Sequence, residues 1–149
     1  MWFMNRIANP FVRFILRSPF HRLMSGAVLL ISYRGRKSGR TYTLPVNYVL
    51  DGKTIYMVPG MPDTKTWWRN LRGGAEVTLT LDGKSVGGSA AVLQGTGEAT
   101  LKALGCYWRR FPAFAQQHGV RMQADGSCNP QDLQKAAAST RVVKVELES

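Results

Sequence analysis

The sequence predicts a single mainly β domain, a small antiparallel barrel or strongly curled sheet with helices packed outside it. Three observations carry that reading. Two Asp-Gly dipeptides, Asp51-Gly52 and Asp82-Gly83, each stand between runs of β-forming residues, and such pairs are the strongest short-range hairpin signal. The chain has 149 residues, 44% of them apolar, which suffices for one core but not for two. No internal repeat, long linker or low-complexity tract divides it, so 1–149 reads as one domain.

The elements follow in order. Segment 1–25, "MWFMNRIANPFVRFILRSPFHRLMS", is apolar but is interrupted by Arg6, Arg13, Arg17 and Arg22 and is followed by no Ala-x-Ala site, so it reads neither as a spanning helix nor as a signal peptide. At about 100° per residue, Met4, Ile7, Phe11, Phe14 and Ile15 share one face while Arg6, Arg13 and Arg17 share another. Pro10 and Pro19 break this basic amphipathic helical segment into short pieces. It caps the core, lies on an anionic membrane surface, or does both.

Strands are expected over 28–33, 43–50, 54–58, 77–81, 90–94 and 141–146. "TYTLPVNYVL" and "KTIYMVP" flank the first Asp-Gly turn, and "AEVTLTL" and "KSVGGSAAVLQ" flank the second. Helical stretches fit at "TKTWWRNL", at "ATLKALGCYWRRFPAFAQQ" and at "PQDLQKAAAS", where Pro130 suits a first turn.

Charge and motifs limit the function classes. Twenty Lys+Arg against 9 Asp+Glu leave a net charge of +11, which favours an anionic partner: nucleic acid, membrane, or a phosphorylated or carboxylated small molecule. Nucleic acid is the least fitting of these, because the basic residues are spread along the chain without a recognised binding motif. Cys106 and Cys128 form no Cys-x-x-Cys pair and there are two histidines, so neither zinc nor a disulfide framework is indicated. A cytoplasmic setting is expected, peripheral at the inner face of the membrane if segment 1–25 docks there.

"GKSVG" matches G-x-S-x-G, but Ser85 falls just past a hairpin tip, where a nucleophile elbow needs a strand-to-helix turn. "GRKSG" lacks the spacing of a P-loop. Without a carboxylate pair or a His-Glu cluster, an enzyme of this sequence would draw its chemistry from a cofactor.

One stretch could hold an anion. In "YRGRKSGRTYTLP", Arg34, Arg36, Lys37 and Arg40 have no acidic neighbour. Gly35 and Gly39 would let backbone amides approach a ligand, and Ser38 adds a hydroxyl. The same residues also describe an ordinary basic hairpin tip.

The succession of "GRKSG", "LPVNYVLDGKTIYMVPG", "WWRNL" and "VTLTL" resembles the deazaflavin-dependent nitroreductase and quinone reductase family of antiparallel split β-barrels. The resemblance covers 28–81. It implies that the cofactor is coenzyme F420, an 8-hydroxy-5-deazaflavin with an anionic phosphate and oligoglutamate tail, in preference to FMN. By similarity, Lys37 is the tail-binding lysine, with Arg36 and Ser38 beside it, and Arg40 substitutes for an arginine that relatives carry where Tyr42 stands. Pro45, Val46 and Asn47 match the segment whose backbone lies beside the deazaflavin ring, and Trp67 or Trp68 matches an aromatic position after it.

Departures from the family pattern bear on the substrate. Pro59, Gly60, Met61 and Pro62 stand where relatives have a Ser-Lys-Gly-Gly turn, so a phosphate-contacting lysine is missing, a role Lys65 could fill by reaching back. Phe111 and Phe114 stand in place of a tyrosine-rich stretch, and with Phe11, Phe14 and Ile15 over the same pocket they would offer ring surface without phenols. The implied reaction is hydride transfer from the reduced cofactor to an apolar conjugated acceptor such as a quinone or enone. No residue is singled out as acid or base. Tyr48, Tyr56, Tyr107 and Trp108 could be pocket walls or core. The competing reading is a split barrel that binds a lipid-like ligand or an anionic membrane with little or no catalysis.

Overall fold

A computed structural model describes residues 28–59, 67–81 and 83–148. Segment 1–25, with Phe11, Phe14 and Ile15, lies outside these residues, as do Gly60, Met61 and Lys65. Seven strands, β1 (Val28–Arg34), β2 (Thr41–Asn47), β3 (Val49–Asp51), β4 (Thr54–Met57), β5 (Ala75–Leu81), β6 (Lys84–Gln94) and β7 (Arg141–Leu147), form one sheet in the order β2-β1-β5-β6-β7-β4-β3. Every neighbouring pair is antiparallel. Tyr48 alone separates β2 at one end of that order from β3 at the other. The two ends of the sheet are therefore held close by the chain itself, and the sheet curls into the expected split barrel.

Two cores use the two faces of this sheet. Leu29, Ile31, Ile55, Met57, Leu79, Val143 and Val145 are fully buried inside the curl, with Leu71 of a short 3-10 helix (Trp67–Leu71) among them. On the outer face, Val49, Tyr56 and Val142 pack against helices α1 (Glu98–Arg110), α2 (Pro112–Gln117) and α3 (Pro130–Ala137) through Leu104, Trp108, Ala115 and Ala137. Strand β7 serves both cores because successive side chains point to opposite faces: Val142 goes to the helices, Val143 and Val145 to the barrel. No helix among the described residues is long and apolar enough to cross a membrane.

Four local expectations are corrected. The strand expected over 43–50 is interrupted at Tyr48, and its two parts pair with different partners, β2 with β1 and β3 with β4. In the first hairpin Asp51 pairs with Thr54, so the two-residue turn is Gly52-Lys53, with Gly52 at φ 65°; a positive φ at the first turn position suits glycine. The long helix expected through "RRFPAFAQQ" divides at Phe111, which ends α1 and precedes Pro112 with φ −122° and ψ 68°, because a residue before proline is pushed out of the helical region. The described part of "TKTWWRNL" is a 3-10 turn.

Candidate cofactor and acceptor site

The basic stretch becomes a six-residue connection closed by the last β1–β2 pair, Arg34 with Thr41. Its glycine amides do not face outward as expected. The Gly35 N–H donates to the Arg40 carbonyl at 2.7 Å and the Gly39 N–H to the Gly35 carbonyl at 2.9 Å. Ser38 Oγ accepts from the Arg40 N–H at 3.1 Å and lies 3.1 Å from the Tyr42 hydroxyl. The loop thus spends most of its short-range hydrogen bonding on its own shape. A Cβ at Gly35 would fall 2.8 Å from Tyr42 Cε2 and 3.0 Å from Ser38 Oγ, so the glycine lets Tyr42 lie flat over the turn.

Asn70 ties this loop to the 3-10 helix. Its Oδ1 accepts the Arg36 N–H at 3.0 Å, its carbonyl accepts Arg36 Nε at 3.1 Å, and its Nδ2 donates to the Trp67 carbonyl at 3.0 Å. An open depression of about 530 Å³ results, lined by Arg36, Lys37, Ser38, Tyr42, Arg69 and Asn70, with Tyr33 and Trp67 among its other walls. Among the described residues it has no carboxylate in its lining, and neither the Arg121–Asp132 nor the Lys144–Glu146 ion pair involves it.

An aromatic row leads away from the charge. Tyr42 and Tyr33 have ring centroids 5.8 Å apart, and Tyr33 and Trp67 6.1 Å apart. Burial, with Tyr42 adding to it, pushes the Tyr33 phenol above its ordinary pKa. Trp67 also lines a second, less open cavity of about 340 Å³, whose walls are Leu44 to Asn47 of β2, Val58 and Pro59, Tyr107 and Trp108 of α1, and Phe114, Gln117 and His118. That volume lies in the range of small-molecule pockets. Burial raises the Tyr107 phenol well above its ordinary pKa, so at neutral pH it can only share a neutral hydrogen bond. The Trp108 indole is fully buried and its Nε1–H has no hydrogen-bond partner among the described residues.

The residues expected at a site therefore divide. Arg36, Lys37, Ser38 and Tyr42 line the basic depression; Pro45, Val46, Asn47, Pro59 and Phe114 line the cavity; Trp67 belongs to both. Arg40 lies outside both linings. Trp68 does too: it is 2% exposed in the barrel core, with the guanidinium groups of Arg69, Arg72 and Arg141 at 5.6, 4.8 and 5.6 Å from its ring centre. Of the two tryptophans only Trp67 reaches the cavities. Phe111 stands behind the wall, its centroid 5.3 Å from Phe114 and 4.9 Å from Tyr107. Tyr107 and Trp108 are core and wall at once. Sequence reasoning passed over Arg69, Asn70 and His118; the first two were within reach, since Asn70 lies one 3-10 turn after Trp67.

A mostly apolar cavity joined through one indole to a depression lined by Arg36, Lys37 and Arg69 fits a molecule with a planar ring and an anionic tail. Comparison with known proteins bears on the family and the fold. A search of curated proteins found no match. Among solved structures, an F420-H2 dependent reductase, FDR-A, superposes with a TM-score of 0.58 at 20% identity, covering 80% of this chain and 94% of that one. The heme storage protein HutZ from Vibrio cholerae gives 0.54 at 10% identity, covering 89% and 91%. The FAD and heme binding protein from Mycobacterium smegmatis gives 0.52 at 14%, covering 89% and 67%. At these identities the likeness establishes the fold. The family assignment rests on sequence: residues 16–118 match the F420H(2)-dependent quinone reductase family. The match spans more than half of the chain, so this protein belongs to that family and is a reductase whose cofactor is coenzyme F420.

Proposed function

We propose that the enzyme passes hydride from reduced coenzyme F420 to an apolar conjugated carbonyl compound, a quinone or an enone. The coenzyme's anionic tail would lie in the basic depression, and its ring would share the apolar cavity with the acceptor. The observation that supports this reading most directly is the position of Trp67, which lines both depressions. When bound, the reduced deazaflavin supplies the hydride.

The protein's own contribution is placement. Lys37, with Arg69 across the depression, offers charge to phosphate or carboxylate oxygens, while the Arg36–Asn70 bonds hold the loop and Trp67 at a fixed separation. Pro45, Val46 and Asn47 give a flat strand wall, and Phe114 with Trp67 gives aromatic surface in the same cavity. Such walls fix stacking and keep out water, with little discrimination by hydrogen bonds.

The test is steady-state reduction of a panel of quinones, enones and nitroaromatics by the reduced coenzyme. Quinones and enones should be the best acceptors. Coenzyme binding without reduction of any of them, together with co-sedimentation on anionic liposomes, would overturn this reading.

A further inference from the structure

The cavity has two residues in its lining, Trp108 and His118, whose polar groups the placement of cofactor and acceptor leaves unused. Trp108 is fully buried in its wall, and its indole N–H is a donor without a partner among the described residues. An unmet buried donor is unfavourable, and a ligand oxygen brought to it would relieve that cost. His118 lines the same cavity, and its ring centre is 5.2 Å from that of Trp108. His118 Nδ1 lies 2.9 Å from the Phe114 carbonyl oxygen. A carbonyl can only accept, so Nδ1 carries the proton and Nε2 is the nitrogen left for a ligand.

We propose that Trp108 and His118 form the oxygen-binding corner of the acceptor site: Trp108 Nε1–H holds the acceptor's carbonyl oxygen, and His118 Nε2 delivers the proton that completes its reduction. The proposal rests on the quinone or enone reading above. Hydride adds two electrons and a hydrogen to the conjugated system, and negative charge accumulates on the carbonyl oxygen. The Nε2–H bond of imidazolium then breaks as an O–H bond forms. The reductant is the reduced coenzyme, and the product is a hydroquinone or an enol that becomes a saturated ketone. His118 is left neutral with Nδ1–H still held by Phe114, and it regains a proton from solvent, to which it is partly exposed. Histidine suits this work because its two ring nitrogens let it hold one hydrogen bond and pass a proton at the other.

The experiment compares wild type, His118→Gln and Trp108→Phe, all loaded with the reduced coenzyme, on menadione and on 2,3-dichloro-1,4-naphthoquinone, whose oxyanion is the weaker base. His118→Gln should lower kcat for menadione by about 10²-fold or more, lose much less on the dichloro compound, and leave KM within about twofold. In the unloaded protein, menadione should move one indole N–H resonance downfield, the resonance that Trp108→Phe removes. If that variant does not fold, Trp2→Phe, Trp67→Phe and Trp68→Phe assign the signal by elimination. Equal losses on both quinones, no loss at all, or an unmoved Trp108 resonance would overturn the proposal while the reductase reading stands. A wild type that reduces neither quinone would overturn both.

Discussion

Arg36 grips Asn70 twice, through its own backbone N–H to Oδ1 at 3.0 Å and through Nε to the carbonyl oxygen at 3.1 Å. This pair joins a loop at position 36 to a helix at position 70, and the same asparagine continues the chain of bonds to the Trp67 carbonyl. The spacing between the basic depression and the apolar cavity is set here. Asn70→Ala removes both side-chain bonds and should cost about 1–2 kcal/mol of stability. Coenzyme affinity should fall further than the thermal shift accounts for, because Trp67 and Lys37 are no longer held in register. Asn70→Asp keeps the acceptor but puts a negative charge in the basic depression, so it should bind the coenzyme worse than its melting temperature suggests. Thermal melts beside fluorescence titration separate the two effects.

Lys37 and Arg40 should differ. Lys37 lines the depression and Arg40 does not, although both are exposed cations of the same loop. Lys37→Ala should weaken coenzyme binding by about 1.5–3 kcal/mol through loss of a charge-assisted bond. Arg40→Ala should change it no more than about twofold, by a long-range effect that 0.5 M salt removes. Equal losses in the two variants, measured at two ionic strengths, would take the depression out of the site.

Much of the fold is legible in the sequence for physical reasons. Hairpins are local: Asp51-Gly52 and Asp82-Gly83 mark both turns because a tight reversal needs glycine at positive φ, and Gly52 and Gly83 stand at 65° and 77°. Partner choice is not local. Nothing in "TYTLPVNYVL" states that its first seven residues pair with β1 and its last with β4, since the change at Tyr48 follows from closing the barrel. The site divides the same way. Lys37 and Trp67 can be found from their motifs, whereas His118 gains its meaning from the fold of α2 against α1, which sets its ring beside Trp108. The choice between Trp67 and Trp68 likewise needed burial, which adjacent identical residues do not encode.

Gly88 is a stability prediction. It lies buried in β6, paired with Val77 on one side and Leu147 on the other. A Cβ there would come within 2.5 Å of Val145 Cγ1 and 3.0 Å of the Glu146 carbonyl oxygen. The backbone oxygen cannot yield without disturbing the β6–β7 ladder, so Gly88→Ala should destabilise by about 1–3 kcal/mol. Gly97, with open space around the same atom, is the control for the clash, and in denaturant titration Gly97→Ala should cost less than about 1 kcal/mol, the preference for glycine over alanine at the N-cap of α1.

Asp132 gives the fold a pH dependence. Arg121 donates from its backbone N–H at 3.0 Å and from Nε at 2.7 Å to Asp132 Oδ2, and these bonds hold the carboxyl below its usual range. A depressed folded pKa means that the stabilisation is fully present above the ordinary aspartate value, about 3.9, and is lost as pH falls through the lower folded value. Asp132→Asn should therefore melt below wild type at pH 7, with the gap closing in strong acid. A gap that stays constant from pH 7 down to pH 2 would show that the pair contributes packing rather than charge.

The two phenylalanines test which surface the acceptor meets. Phe114 lines the cavity while Phe111 stacks behind it on Phe114 and Tyr107, although sequence alone makes the two interchangeable. Phe114→Tyr adds a phenolic donor to the wall with little change of volume. It should raise turnover of nitroaromatics severalfold by hydrogen-bonding the developing charge on their oxygens, and leave quinone turnover nearly intact. Phe111→Tyr places its hydroxyl next to Arg110, whose guanidinium lies 5.5 Å over the Phe111 ring. That change should alter neither acceptor class by more than about twofold, since it adds no donor to the cavity lining. Steady-state rates for one quinone and one nitroaromatic in each variant decide the matter. A nitroaromatic gain at Phe111 and none at Phe114 would move the acceptor out of the 340 Å³ cavity and onto the outer face of α1.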